Sequence, residues 1–417
     1  MIIEGIRVAP QLYADDCTTP TEGEAHTEEM LARIIEWSRK WKLIVKAEKS
    51  TVMKAKANAR RHQQLTMEVR GMIFKQKHSI KLLGLQMEGS AAMGNKQAHQ
   101  LMGQVAQRTT VLLKKLTSAR STTLGIFLRV FKELALSICA YSLPHARSAD
   151  TPAGIIQKKR TGLLIEHLGL PENTPHPQLR AELGIGEIEV ELAVLRLRTL
   201  HKIYTNEEDD LTRQMLAWRL HPNNPNSSKL HEASRLLKDI KMKQTVEAFL
   251  RCPYTRAKMD LDAAAEKENK DRWKKQTEGD SRAAMRRRKL KPAWGLEPAL
   301  QAMDIRSVSL YLRLRHGTLQ LKAEKNRCVA CGAGEPTPDH VIWKCPSTAS
   351  CRKTLRASIL SVSPQAMEEV EKLEETNVDH ATDYLLGSGA ASLPITVWGK
   401  VQTRFVAHLP YLLKGHT

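Results

Sequence analysis

Two groups of residues in this chain have the types and spacing to do chemistry. The first is Tyr13-Ala14-Asp15-Asp16, an aromatic followed by two adjacent carboxylates where a loosely alternating pattern breaks. Magnesium takes oxygen ligands in near-octahedral geometry, so paired carboxylates on a tight turn suit it. Two such ions can activate a primer 3′ hydroxyl and steady a departing pyrophosphate, with at least one more carboxylate supplied by another strand. The second group is Cys328-x2-Cys331-x8-His340-x4-Cys345. Three thiolates and one imidazole complete a tetrahedral set for zinc, and a closed set leaves no position for water, so the site reads as structural. Gly332 and Gly334 suit the turn of the Cys-x2-Cys half, and Cys351 is a spare thiol able to stand in for Cys345.

The remaining composition narrows the partners. The 417 residues carry 65 Lys and Arg against 45 Asp and Glu, a net charge of +20 and a pI near 9.7. Such a balance calls for a polyanion, either nucleic acid or an anionic membrane face. No apolar run approaches the roughly 18 residues of a membrane span, which disfavours the membrane. The first residues, Met1-Ile2-Ile3-Glu4-Gly5, lack the basic start and apolar stretch of a signal peptide. Seven cysteines, an odd number, fit a reducing compartment and a metal site better than disulfides. No Ser/His/Asp arrangement or Gly-rich phosphate loop stands out.

The elements that must position these residues are partly readable. Residues 6–19 predict a strand–turn–strand hairpin carrying the acidic pair. Pro20 ends it, and Thr21-x-x-Glu24 offers a capping box to a helix that buries Leu31, Ile34, Ile35 and Trp41. Short strands are expected within 42–53 and 80–87. From 91 to 220 the pattern is mostly helical, with Ala193, Leu197, Leu200 and Tyr204 on one stripe and Pro171, Pro175 and Pro177 at a turn. Asn223–Ser228 reads as a linker. Residues 266–291 are poor in apolar residues and hold the cationic run Arg286-Arg287-Arg288-Lys289-x-Lys291: a nuclear localisation signal, a phosphate-binding arm or a solvated linker. Trp273 and Trp294 flank it and are expected to pack rather than to stack on bases. His145, His167, His201 and His316 are expected to be structural. A helix over 304–316 and an acidic helix near 367–375 complete the reading.

The order of these pieces resembles the reverse transcriptases of non-LTR retrotransposons. The likeness rests on Leu12-Tyr13-Ala14-Asp15-Asp16, a helix closing on Trp37-Ser38-Arg39-Lys40-Trp41, then Ala47-Glu48-Lys49-Ser50, then Lys81-Leu82-Leu83-Gly84-Leu85. A second likeness, at the other end of the chain, is Leu312-Arg313-Leu314-Arg315-His316-Gly317 followed by the Cys-Cys-His-Cys knuckle and Arg352. Leu179–Gly184 is similar to the family's helical connector. The resemblance implies Asp15 as principal magnesium ligand, Asp16 as its supporting carboxylate, and Lys49 as the lysine assisting pyrophosphate departure. Lys49 reads equally as a solvated lysine, and Lys46 stands where many relatives carry Asn. Leu83, Gly84 and Leu85 match the strand that steers the primer end.

The fold class expected is α+β: a partial polymerase palm of short antiparallel strands plus a helix, a mostly helical region and a small zinc-binding domain. The division expected is 1–90 for the distal palm, 91–222 for a helical thumb or connector, 223–300 for a polar and basic linker, and 301–417 for the knuckle domain. By resemblance the intact protein copies RNA into DNA, with an RNA template, a DNA target and primer, Mg2+ and Zn2+, in the nucleus. The family places a further metal-binding Asp and the fingers upstream of the hairpin. Twelve residues precede Tyr13, so the expectation is an N-terminally truncated chain that does not polymerise by itself. Arg286, Arg287, Arg288, Lys289, Arg313 and Arg315 are the candidate nucleic-acid contacts, joined by Lys344 and Arg352 beside the knuckle. The alternative is a non-catalytic zinc-knuckle protein that binds nucleic acid, and a knuckle that only staples its own domain stays open beside it.

Overall fold

The computed structural model describes residues 2–3, 6–7, 11–13, 16–53, 66–77, 79–82, 85–88, 103–104, 107, 111–116, 122–142, 153–221, 228–278, 281, 286, 289–291, 293–324 and 326–416. The fold is mostly helical with small sheets. The chain divides into two compact units rather than four consecutive segments. One is formed by Met1–Gln100, Ala140–Pro152 and Leu192–Ala264, the other by Leu101–Cys139, Ala153–Glu191 and Ala265–Thr417.

In the first unit, strands Gln11–Tyr13 and Asp16–Thr18 pair antiparallel with Tyr13 opposite Asp16, so the expected hairpin forms. The helix Gly23–Lys40 follows, with its cap position one residue later than expected. Thr21 donates to or accepts from Thr27 Oγ1 at 2.7 Å instead, and Glu22 takes the cap position with no side-chain bond. Leu31, Ala32 and Ile35 turn inward against Val69 and Phe74. Trp41 falls just past the helix and is 62% exposed, contrary to the burial expected of it.

The small sheet facing that helix has Thr51–Val52 parallel to Met72–Gln76, which pairs antiparallel with Thr66–Val69. Its hairpin turns at Arg70 and Gly71, with φ of 53° and 77°. Positive φ at both turn residues matches the right-handed twist of the strands, the geometry of a tight two-residue hairpin. Leu85 opens the strand Leu85–Glu88, which pairs with Ser79–Leu82. The segment read as one strand is therefore a hairpin, with Leu83 and Gly84 outside the described residues.

The stretch 223–300 is not simply a linker. Ser228–Asp239, Val246–Arg251 and Tyr254–Thr277 are helices. Ala233, Leu236, Phe249 and Leu261 are buried in the first unit, and Trp273 in the second, packed edge-on against Trp294. Apolar residues spaced three and four apart were enough to form a buried stripe despite the charge around them. His201 is buried, with Nε2 2.9 Å from the Cys252 carbonyl oxygen, as a structural histidine should be.

The second unit is built around the helix Ile305–His316. Asp304 caps it by accepting from the Ser307 amide at 3.0 Å, and Gly317 ends it in the left-handed conformation at φ 70°. Ile305, Val308, Tyr311, Leu312 and Leu314 are buried nearly all round, so this helix lies inside the unit. Against it pack helices Val378–Leu386 and Ile395–Leu412. In the latter, Trp398, Val401, Phe405, Val406, Leu409 and Leu412 make one apolar stripe of helical period. Among the described residues no helix is long and apolar enough to cross a membrane.

At the centre lies a charge cluster the sequence did not announce. Arg315 Nη1 donates to Glu182 at 2.6 Å and to Glu297 at 2.7 Å, and its Nε donates to the Leu386 carbonyl at 2.9 Å. Lys291 Nζ reaches Glu297 at 3.0 Å, while Gln402 donates to the Tyr311 hydroxyl at 2.6 Å. Two buried cations thus face one carboxylate out of water, Glu182, and one partly exposed, Glu297. Burial alone pushes Glu182 up, but Arg315 and Lys291 outweigh it and hold its carboxyl well below the usual carboxylate range. Arg315 is fully buried, which withdraws it from the nucleic-acid contacts expected of it. Gly387 is obligatory beside this cluster, because a Cβ there would lie 2.0 Å from the Leu290 carbonyl oxygen.

Candidate metal centre

A short antiparallel pair, Ala323–Glu324 with Arg327–Cys328, leads into the cysteine loop, turning through Asn326 at φ 62°. The Cys328 amide donates to Gly334 O at 3.0 Å and the Gly332 amide to Cys328 O at 2.8 Å, which folds Cys328–Gly334 into a compact knuckle. Gly332 and Gly334 both have positive φ, 68° and 73°, as the turn requires. A side chain at Gly334 would also crowd the His340 ring, whose Nδ1 lies 3.1 Å from where a Cβ would stand.

Thr337 starts the next turn, its hydroxyl accepting from the His340 amide at 3.1 Å. His340–Lys344 is then a wide helical turn closed by the Cys345 amide on the His340 carbonyl at 2.6 Å. That bond spans five residues instead of four and delivers Cys345 to the same side as His340. Val341, Ile342 and Trp343 point into the unit, with Trp343 Nε1 donating to Thr382 at 2.9 Å.

The outcome is convergence. The ligand atoms of Cys328, Cys331, His340 and Cys345 all lie within 4.8 Å of one another. Zinc bonded to sulfur at about 2.3 Å and to nitrogen at about 2.0 Å sets tetrahedral edges of roughly 3.8 Å between sulfurs and 3.5 Å from sulfur to nitrogen. Cys328 Sγ to Cys345 Sγ is 3.9 Å, and Cys331 Sγ to His340 Nε2 is 3.3 Å, so the donor set fits the ion. Burial alone would raise the Cys345 thiol, yet hydrogen bonds from Ser347 turn its shift downward and favour the thiolate that a metal needs. Cys351, the spare thiol, lies on the helix Ala349–Val362 outside this group.

Around the ligands the structure adds residues that sequence reading missed. Ser347 Oγ is 2.9 Å from Cys345 Sγ, and the buried His416 places Nδ1 3.6 Å from Cys328 Sγ. No spacing rule could have found His416, which stands 88 residues from its partner. Arg352, expected to face nucleic acid, donates to the Ile342 and Cys345 carbonyls at 3.3 and 3.2 Å and so braces the turn that carries the ligands. Lys344 is exposed.

The other expected site residues are more scattered. Asp16 is exposed on its strand, and Asp15 lies outside the described residues. Lys49 is exposed in the turn after Lys46, with its amide on the Lys46 carbonyl at 3.0 Å. Among the described residues no metal-holding group includes Asp16. Arg286 pairs with Asp383 at 2.7 Å, Lys289 is exposed, and Arg287 and Arg288 lie outside the described residues. Arg313 is half-buried and donates to the Gly169 carbonyl. No family model matches the chain, and no curated protein is significantly similar to it.

Proposed function

We propose that this chain is part of a non-LTR retrotransposon reverse transcriptase, with a zinc knuckle that holds a domain against nucleic acid. The observation that carries the reading is the convergence of Cys328, Cys331, His340 and Cys345 into a zinc-sized tetrahedron directly after the helix Ile305–His316 and Gly317. That is the order of motifs on which the resemblance rests. The hairpin that brings Tyr13 opposite Asp16 supports it from the other end. In the intact protein, Asp15 and Asp16 would hold magnesium beside a primer end and Lys49 would assist pyrophosphate departure, while the +20 charge draws in RNA template and DNA target.

A second reading, a nucleic-acid-binding zinc protein without catalysis, is supported by the same Cys-Cys-His-Cys cluster and the +20 charge, neither of which needs the acidic pair. One experiment tests both. The chain is titrated with fluorescent single-stranded RNA and nicked duplex DNA at several salt concentrations, then supplied with a primed RNA template, deoxynucleotides and Mg2+. Salt-sensitive binding is expected under both readings, and its absence defeats both. Binding without extension is what both readings expect of this chain by itself, whereas primer extension that Asp16→Asn abolishes defeats the non-catalytic reading and the expected truncation together.

A further inference from the structure

We propose that His416 is a positioning residue of the zinc centre: its ring N–H holds the Cys328 thiolate, and through that bond the metal fastens the end of the helix Ile395–Leu412 to the knuckle. The inference rests on the zinc assignment above. Zinc with three thiolates and one imidazole carries a net charge of −1. Cys328 and Cys345 are 1% and 0% exposed, so water cannot solvate the charge on these sulfurs. A buried charge of this kind requires hydrogen-bond donors.

His416 supplies the missing donor. Its ring is 1% exposed, with Nδ1 3.6 Å from Cys328 Sγ and Nε2 3.5 Å from Ser347 Oγ, itself 2.9 Å from Cys345 Sγ. With the proton on Nδ1, the ring donates to the Cys328 thiolate, and the single hydroxyl proton of Ser347 goes to the nearer Cys345 sulfur rather than to Nε2. The backbone is clamped as well: the Lys322 amide donates to the His416 carbonyl at 2.7 Å, just before the strand pair that ends at Cys328. The His416 amide donates in turn to the Leu413 carbonyl at 3.0 Å. Partners of metal ligands commonly contribute 10- to 100-fold in metal affinity.

The test uses the full chain with His416→Ala, His416→Phe and His416→Asn. Zinc affinity is measured by competition with a chromophoric chelator, and ligation by the absorption spectrum of the cobalt-substituted protein. Every variant should still take up one metal ion per chain. Alanine and phenylalanine should weaken zinc binding about 10- to 100-fold, and asparagine, which keeps an N–H donor, should recover most of the loss. The cobalt d–d bands should persist in all variants, while the thiolate charge-transfer bands move to lower energy in His416→Phe. Unchanged affinity in the alanine and phenylalanine variants overturns the proposal, as does an asparagine variant no better than phenylalanine. Altered d–d bands overturn it too, by making His416 a ligand. Should the variants fail to fold, amide exchange of residues 405–416 in the wild-type chain decides: protection must fall when zinc is removed, and unchanged protection overturns the proposal. A wild-type chain that takes up no zinc defeats the zinc assignment itself, whereas uptake insensitive to His416 defeats the positioning role alone.

Discussion

Cys328, Cys331, His340 and Cys345 sit on short turns braced by the buried Trp343 and His416 and the half-buried Arg352, which fix the backbone and sulfurs around them. Asp16, in contrast, sits on a three-residue strand with its side chain in solvent, paired to one equally short neighbour. The difference follows from the ligands. A closed sulfur and nitrogen set drawn from one short segment gathers its own ion and adds that binding energy to folding. A carboxylate pair repels itself until other groups and two hard cations neutralise it. The cysteine and histidine donors are complete within their own segment, whereas a metal site at the acidic pair, as the proposed function has it, would need partners from elsewhere.

The contrast can be broken at either end. The largest effect should come from Cys331→Ser, which removes one of the four ligands. Zinc measured by elemental analysis should drop from one per chain to near zero, with loss of folded structure around 323–348. Retained zinc would show that the four donors do not act as a set.

Next is Arg315→Met, which leaves the buried Glu182 and the partly exposed Glu297 with Lys291 as the remaining lysine or arginine beside them. Stripping one partner from a buried ion pair costs about 3–5 kcal/mol, read as a lowered urea midpoint. Zinc stoichiometry should stay at one if the unit still folds. In the other unit, Phe74→Ala opens a cavity among Ile35, Val69 and the half-buried Met67, at a cost of about 3 kcal/mol. It should leave zinc content untouched.

The charge cluster also predicts an acid limb. An unfolded glutamate titrates near pH 4.3, and the folded Glu182 titrates lower. Its contribution to stability is therefore fully present above about pH 4.3 and is lost as the pH falls through the folded pKa. The stability gap between the wild type and Glu182→Gln, followed by urea unfolding, should narrow as the pH drops below about 4. The smallest effect belongs to Asp16→Asn. An exposed substitution on a short strand should move neither the melting temperature nor the zinc content.

Much of the candidate centre was legible because its donors lie close in sequence and their chemistry fixes how many are needed. The two-residue hairpin at Tyr13–Asp16 was legible for a similar reason, since alternation and a break are local features. The hairpin through Arg70 and Gly71 was open to the same reading, as Met67, Val69, Met72 and Phe74 alternate around a turn-forming pair. Charge hid the helices of 228–277, where Ala233, Leu236 and Leu237 keep an apolar stripe on the first helix among many polar residues.

What the sequence determined by itself was short-range: the tetrahedral donor set, the caps at Asp304 and Gly317, the acidic hairpin and the sign of the overall charge. Each depends on residues within one short segment, at most 17 positions apart, or on simple addition. Only the tertiary structure decided which charges stay available. It took Arg315 into the core with Glu182 and Glu297, committed Arg352 to backbone carbonyls, and brought His416 to Cys328 across 88 residues. A cation in a sequence is equally suited to phosphate, to a buried carboxylate or to a carbonyl. Which one it meets depends on where the chain returns, and that is set by packing of apolar faces far from the cation itself.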